Sequence, residues 1–299
     1  MTGRVALLAL WLGATGVLAQ PGSPTGAYNL WAKERVRRLE ERVNREPINP
    51  QVRVLLATAY YEDGQAFEAK QQLRRALELR PDCAEAHCNL AIILHAQSSL
   101  SEARQHYEAA LAADSTLTEA MAGLGTLLCR TGQGRGIELL EEVLAREPGR
   151  RSARYNLAVA YHKAGDYPQA IAHLERLLAE DASYPEAGRA MAQACFGRGL
   201  ALLSADQAAP ALALFERALE FDRQVDDLYY AAGLAYLRLD DLPAAGAAFE
   251  AAVHLNPDHV PALHNLATVY ERTGRPEEAR SCYQRVQELT PHLGSIDAA

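Results

Sequence analysis

Cys83, His87 and Cys88 come nearest to a metal-binding cluster in this sequence. A structural zinc needs four ligands in a tetrahedron, and three neighbours without a fourth do not make one. His259 and His264 repeat the spacing of Cys83 and Cys88 in a later segment, which marks the pattern as repeat phase instead of a chelate. Gly132, Gly134 and Gly136 have the density of a phosphate cradle, but they follow a helical pattern where a strand is required, and the Walker lysine is absent. A tight helical hairpin is the better account. No nucleophile, base and orienting acid stand at an interpretable spacing. The sequence therefore reads as non-enzymatic, with no cofactor, no metal and no small-molecule substrate.

The elements that carry these residues are helices. Alanine, leucine, glutamate and arginine dominate the 299 residues, aromatics make up 7%, and no stretch alternates as a half-buried strand would. Small residues recur at Ala57, Ala91, Gly125, Ala158, Ala192, Gly233 and Ala267, with steps of 34, 34, 33, 34, 41 and 34. A second small series follows at Ala69, Ala103, Gly136, Ala170, Ala211, Ala245 and Ala279. Breakers such as Asp63-Gly64, Thr131-Gly132 and Thr273-Gly274 fall between the two, so each unit is two helices joined by a turn.

Where two antiparallel helices cross closely, a large side chain would push the axes beyond 8 to 10 Å, so the slots must be small. Large residues flank them: Leu56 with Tyr60, Leu90 with Leu94 and Leu266 with Tyr270 on first helices, and Leu73, Tyr107, Leu140, Leu174, Phe215, Phe249 and Tyr283 on second helices. Prolines at Pro47, Pro81, Pro148, Pro257 and Pro291 punctuate the units. This alternation of small, large and proline positions in a 34-residue period resembles the tetratricopeptide repeat from Pro50 to Leu293. The resemblance implies an all-α, right-handed superhelical solenoid of seven helix-turn-helix repeats. Their expected bounds are 50–83, 84–117, 118–150, 151–184, 185–225, 226–259 and 260–293, after a capping helix at 30–47 and before a tail at 294–299.

Two departures from the period carry expectations of their own. The long step between Ala192 and Gly233 adds seven residues, close to two helical turns. The first helix of the fifth unit is expected to lengthen through about Leu203, with Cys195 and Leu202 on one side, either as tolerated length variation or as a docking knob. At the ends, Val36, Leu39 and Val43 share the inner face of the cap, while the helix Glu277–Leu289 lacks a successor, which makes self-association there a live alternative.

Residues 1–19 have the form of a secretory signal, with Arg4 before the apolar run Val5–Leu18 and small residues at the cleavage spacing. A flexible link at 20–29 follows. The chain is expected to be exported, periplasmic or extracellular; the alternative is a membrane anchor at residues 5–18. Only three of the 30 basic residues are lysines, a bias that fits a GC-rich bacterial source. The five cysteines are odd in number and poorly spaced for bridging, so they are expected as small buried thiols. A net charge of -8 with basic residues scattered among acidic ones carries no nucleic-acid footprint.

Repeat folds bind through a surface, and in the family the first helices line a concave groove that holds a peptide or protein ligand. Carried onto this sequence, that arrangement puts Asn89, Asn156 and Asn265 in one equivalent slot, where an amide could donate to and accept from a peptide backbone. Tyr155, Tyr230, His264, His95, His162 and Arg189 are expected on the same face, a mixture of aromatic and adaptable polar groups suited to a protein partner. Some family members clamp a chaperone's terminal carboxylate with lysine, asparagine and arginine. The corresponding slots here hold Val54, Cys88 and Tyr155, which implies no such binding.

Overall fold

The computed structural model describes residues 26–184 and 186–290, and every regular element among them is a helix. The expected signal 1–19 and tail 294–299 lie outside the described residues. A leading helix, α1 (Gly26–Arg45), is followed by α2 (Pro50–Glu62) and α3 (Ala66–Leu79), α4 (Ala84–Ala96) and α5 (Leu100–Ala113), and α6 (Thr118–Arg130) and α7 (Arg135–Arg146). Then come α8 (Arg151–Lys163) and α9 (Tyr167–Glu180), α10 (Ala187–Ser204) and α11 (Ala208–Phe221), α12 (Asp226–Arg238) and α13 (Leu242–Leu255), and α14 (Val260–Arg272) and α15 (Pro276–Leu289). These helices form two compact units, divided in sequence between Ala160 and Tyr161 inside α8.

In the first unit the cap begins earlier than expected: α1 starts at Gly26, so the last four residues of the expected link are helical. Val36 seats against Leu56 and Ala59, with Leu39 and Val43 alongside. Asn49 starts α2 by accepting from the backbone N–H groups of Gln51 and Val52, and Pro50, at the first helical position, has no N–H to leave unmet. In the second unit Asp166, Asp241 and His259 cap α9, α13 and α14 in the same way, each beside a proline in the first turn. His259 stands where Cys83 stands in the second pair, just before a first helix, which agrees with the repeat-phase reading of the two runs.

Each turn between paired helices holds one residue in the left-handed region: Gly64, Ser98, Gly132, Gly165, Asp206, Asp240 and Gly274. Each lies seven residues past the small slot of its first helix once that slot is assigned by contact, and here the fifth pair departs from expectation. A Cβ on Gly199 would come within 2.4 Å of the Phe215 ring, matching Gly233, whose Cβ would come within 2.5 Å of Phe249. The slot is therefore Gly199 and not Ala192. Like the other first helices, α10 ends five residues past its slot, so its additional length lies at its N-terminal end, from Ala187 to Met191.

The third pair is the tightest. A Cβ on Gly136 would meet the Gly125 carbonyl oxygen at 2.6 Å and the Cys129 nitrogen at 2.7 Å, both backbone atoms that cannot rotate away. This explains the run of glycines at 132–136 as helix contact, with Gly134 beside it in open space. Gly136→Ala is expected to lower stability by about 1–3 kcal/mol through overpacking, even though alanine gains about 1 kcal/mol in helix propensity. Gly134→Ala is expected to leave the thermal midpoint nearly unchanged, and equal effects from the two would refute the backbone contact.

Candidate functional site

Five of the seven first helices, α4, α8, α10, α12 and α14, carry the expected partner-binding residues, and the structure sorts these into fasteners and surface. Asn89 on α4 is 0% exposed, with its side-chain amide 3.4 Å from the Thr58 hydroxyl on α2. Thr58 in turn donates to the Val54 carbonyl. The same device recurs at Asn156 on α8, which donates to Thr126 on α6 at 3.0 Å while Thr126 donates to Ala122. Asn265 on α14 donates to the Pro261 carbonyl at 3.0 Å and reaches the Tyr230 hydroxyl on α12 at 3.4 Å. The asparagines thus tie α4 to α2, α8 to α6 and α14 to α12. An open amide ladder along a groove is not what they form, and Asn89 in particular is sealed inside the first unit.

His95 is likewise internal at 6% exposure, its ring edge-on to Tyr107 and its Nε2 accepting from Arg130 at 3.1 Å. Burial, with the Arg130 charge second, holds it down at about 4, so it is a neutral core histidine and not a groove contact. His162 lies partly buried against the Tyr167 ring with centroids 5.6 Å apart, and burial ahead of the Lys163 charge lowers its pKa too. Tyr155 is partly exposed on α8. Arg189 is exposed, but it projects from the additional N-terminal turns of α10, two turns before the slot equivalent to the others.

What the structure does bring together lies in the second unit. Tyr230 packs on Phe249 and His259, with centroids at 5.9 and 4.9 Å, and meets Asn265. His264, one residue before Asn265, is exposed and stands edge-on to Tyr283 at 5.8 Å. With Gly199 as the slot of α10, the residue equivalent to Tyr230 and His264 is Phe196. One turn further along the same face come Leu200, Leu234 and Thr268. Leu200 is 39% exposed, and Phe196, Tyr230, Leu234 and Thr268 are half-buried. This aromatic and aliphatic row on α10, α12 and α14 is the candidate partner surface. Sequence reasoning missed Phe196, Leu200 and Leu234 because it set the fifth slot seven residues too early. The available signal was the 34-residue step from Gly199 to Gly233.

The fastener assignment is open to a double-mutant cycle. Thr58→Val and Asn89→Leu are each expected to lower the urea midpoint, with a coupling of about 0.5–3 kcal/mol between them. Coupling near zero would mean that the two side chains do not interact.

Models of the tetratricopeptide repeat match residues 34–117, 134–194 and 230–293. Tetratricopeptide repeat protein 8 of Caenorhabditis elegans is 26% identical over 231 residues, covering 76% of this chain and 44% of that protein. The type IV pilus assembly protein PilF of Pseudomonas aeruginosa is 33% identical over 75 residues, 25% of this chain and 30% of PilF. The chain spans less than half the length of these curated relatives. The solved C-terminal part of a repeat-containing protein from Cytophaga hutchinsonii shares the fold, with a TM-score of 0.58 at 15% identity over 79% of this chain and 95% of that one. With small slots, left-handed turns and matched segments recurring through the described helices, the chain belongs to the tetratricopeptide repeat family.

Proposed function

We propose that the chain is a non-catalytic scaffold whose protein or peptide partner docks on the exposed face of α10, α12 and α14. The observation that supports this reading is the row Phe196, Leu200, Tyr230, Leu234 and His264, in which rigid aromatic and aliphatic side chains remain accessible on consecutive first helices. Aromatic anchors such as Tyr230 supply large contact area at small entropic cost, and the leucines beside them add apolar area. The partner is then a segment presenting apolar side chains. Polar groups such as Asn265 and Thr268 lie at the edge of the row.

Export to a bacterial envelope is part of the proposal and rests on the sequence of residues 1–19. The likeness to a protein named for pilus assembly is compatible with an assembly role there. The second reading, a tethered adaptor with residues 5–18 retained, differs in its N-terminus; no described helix is long and apolar enough to cross a membrane. Self-association through α15 would have to use a charged outer side, where Arg280 pairs with Glu277 and Arg285 with Glu288 and Asp258.

The test is recovery of partners by the full chain from its own envelope extract, read by mass spectrometry. A Leu200→Asp, Leu234→Asp variant with unchanged helix content is expected to lose the specific partners, while Arg189→Ala keeps them. Partners indifferent to the aspartates would remove the row from the site. In the same samples a mature N-terminus near Gln20 is expected; an intact Met1 in the membrane fraction would favour the tether.

A further inference from the structure

His87 on α4 and His106 on α5 face each other inside the second helix pair, Nδ1 to Nδ1 at 2.9 Å, with ring centroids 5.2 Å apart. Nε2 of His87 lies 2.9 Å from the Pro81 carbonyl oxygen, which can only accept. His87 therefore carries its proton on Nε2 and offers a lone pair at Nδ1. His106 donates its Nδ1–H to that lone pair and keeps its own on Nε2. The bond ties α5 to α4, and the Pro81 contact ties α4 to the connection before it.

The repeat shows what this tie is for. His87 lies four residues before the slot Ala91, and His106 three residues after the slot Ala103. In the first pair the same positions hold Arg53 and Gln72, and they make the same bridge: Arg53 donates to the Pro47 carbonyl at 2.8 and 3.2 Å and to the side-chain oxygen of Gln72 at 3.0 Å. Arg154, at that position of α8, donates to the Pro148 carbonyl. In all three pairs the accepting carbonyl stands six residues before the donor. Arginine keeps its charge and its donors at every ordinary pH, whereas two histidines do not. Of the seven pairs, the second alone has histidine at both positions.

We propose that His87 and His106 form an acid-operated latch, closed while His87 is neutral and opened when both rings are protonated, which releases α5 from the first turn of α4. A first added proton fits on Nε2 of His106 with the bond intact. The second has only Nδ1 of His87 left, where it replaces the accepting lone pair with an N–H aimed at another donor, between two positive rings. Burial, with His87 second, lowers the pKa of His106, so the folded pair resists even the first proton. The other charges acting on His106 are Glu102, one turn earlier on α5, which favours protonation, and Arg74 on α3, which opposes it. In the unfolded chain both rings titrate near the ordinary value of about 6.5. The stability the latch supplies is therefore complete above about pH 6.5 and is lost as the pH falls below it, because the unfolded state then binds more protons. The latch belongs to the first unit and does not depend on the partner row of α10, α12 and α14.

Hydrogen exchange of the full chain, followed by mass spectrometry and corrected for the intrinsic effect of pH, tests this at about pH 7.5 and about pH 5. His87→Arg with His106→Gln copies the Arg53–Gln72 bridge, which acid does not open. Protection of the α4 and α5 amides is expected to fall at least tenfold further on acidification in the wild type than in this double variant. His95, held at about 4 by burial and then by the Arg130 charge, weakens the same unit in acid, but it is common to both chains and cancels in the comparison. Equal losses in the two chains would overturn the latch. Nitrogen NMR of the wild-type rings gives a second test that needs no variant. At about pH 7.5 the proton is expected on Nε2 in His87 and on Nδ1 in His106; two charged rings at about pH 5 in a chain whose α4 and α5 amides stay fully protected would equally overturn the proposal.

Discussion

The structure depends on one contact, a small residue of the first helix against a large residue of the second. Gly199 under Phe215 and Gly233 under Phe249 show its geometry: the ring occupies the volume a Cβ would need. The contact fixes how closely the two axes approach, and through that the point at which the chain must turn. Every first helix ends five residues past its slot, and every left-handed turn residue lies two residues further on. Glycine takes that turn position in four pairs, where it carries no Cβ penalty. Ser98, Asp206 and Asp240 take it in the other three, at a cost of about 1–2 kcal/mol each. The two aspartates gain a use there: Asp206 meets Arg238 at 3.0 Å and Asp240 meets Arg272 at 2.7 Å, each arginine closing the next first helix. These pairs are exposed and contribute little stability.

Contacts between consecutive pairs follow a second period. Tyr60, Tyr236 and Tyr270 each donate to a glutamate 20 residues earlier, Glu40, Glu216 and Glu250. Burial, with the bonded carboxylate second, raises the pKa of all three phenols, so they stay protonated donors at any ordinary pH. The asparagine fasteners act between first helices, and the tyrosines act from a first helix onto the second helix before it. In the first unit the cap α1 takes the place of that preceding helix. This is why Val36, Leu39 and Val43 could be read as the inner face of a capping helix.

Periodicity of two local kinds was legible in the sequence, because a small slot and its large partner lie within 20 residues and recur. The fifth pair was misread for a physical reason. Ala192 and Gly199 are seven residues apart, which returns a helix to within about 20° of the same face, so either satisfies the pattern. Only the Phe215 ring decides between them. That slip alone exchanged Phe196 for Arg189 among the candidate contacts. The asparagine contacts were hidden for another reason. Recurrence of the asparagines themselves was visible, but Thr58 and Thr126 lie 31 and 30 residues upstream, on the preceding first helix, and nothing local announces that their hydroxyls are in reach.

The same slots differ in burial between the two units. Three residues before and one after the small slot, α2 and α4 carry Val54, Thr58, Cys88 and Ile92, all buried. These side chains are short enough to be enclosed between neighbouring first helices, where Asn89 closes on Thr58. In α10, α12 and α14 the corresponding residues are Phe196, Leu200, Tyr230, Leu234, His264 and Thr268, of which Leu200 and His264 are exposed and the others half-buried. Tyr230 finds cover for one face on Phe249 and His259, while Leu200 retains 39% of its surface. Apolar area that one unit buries against itself stays partly exposed in the other. A repeat array can divide stability and recognition along its length in this way, because each pair answers only to its neighbours.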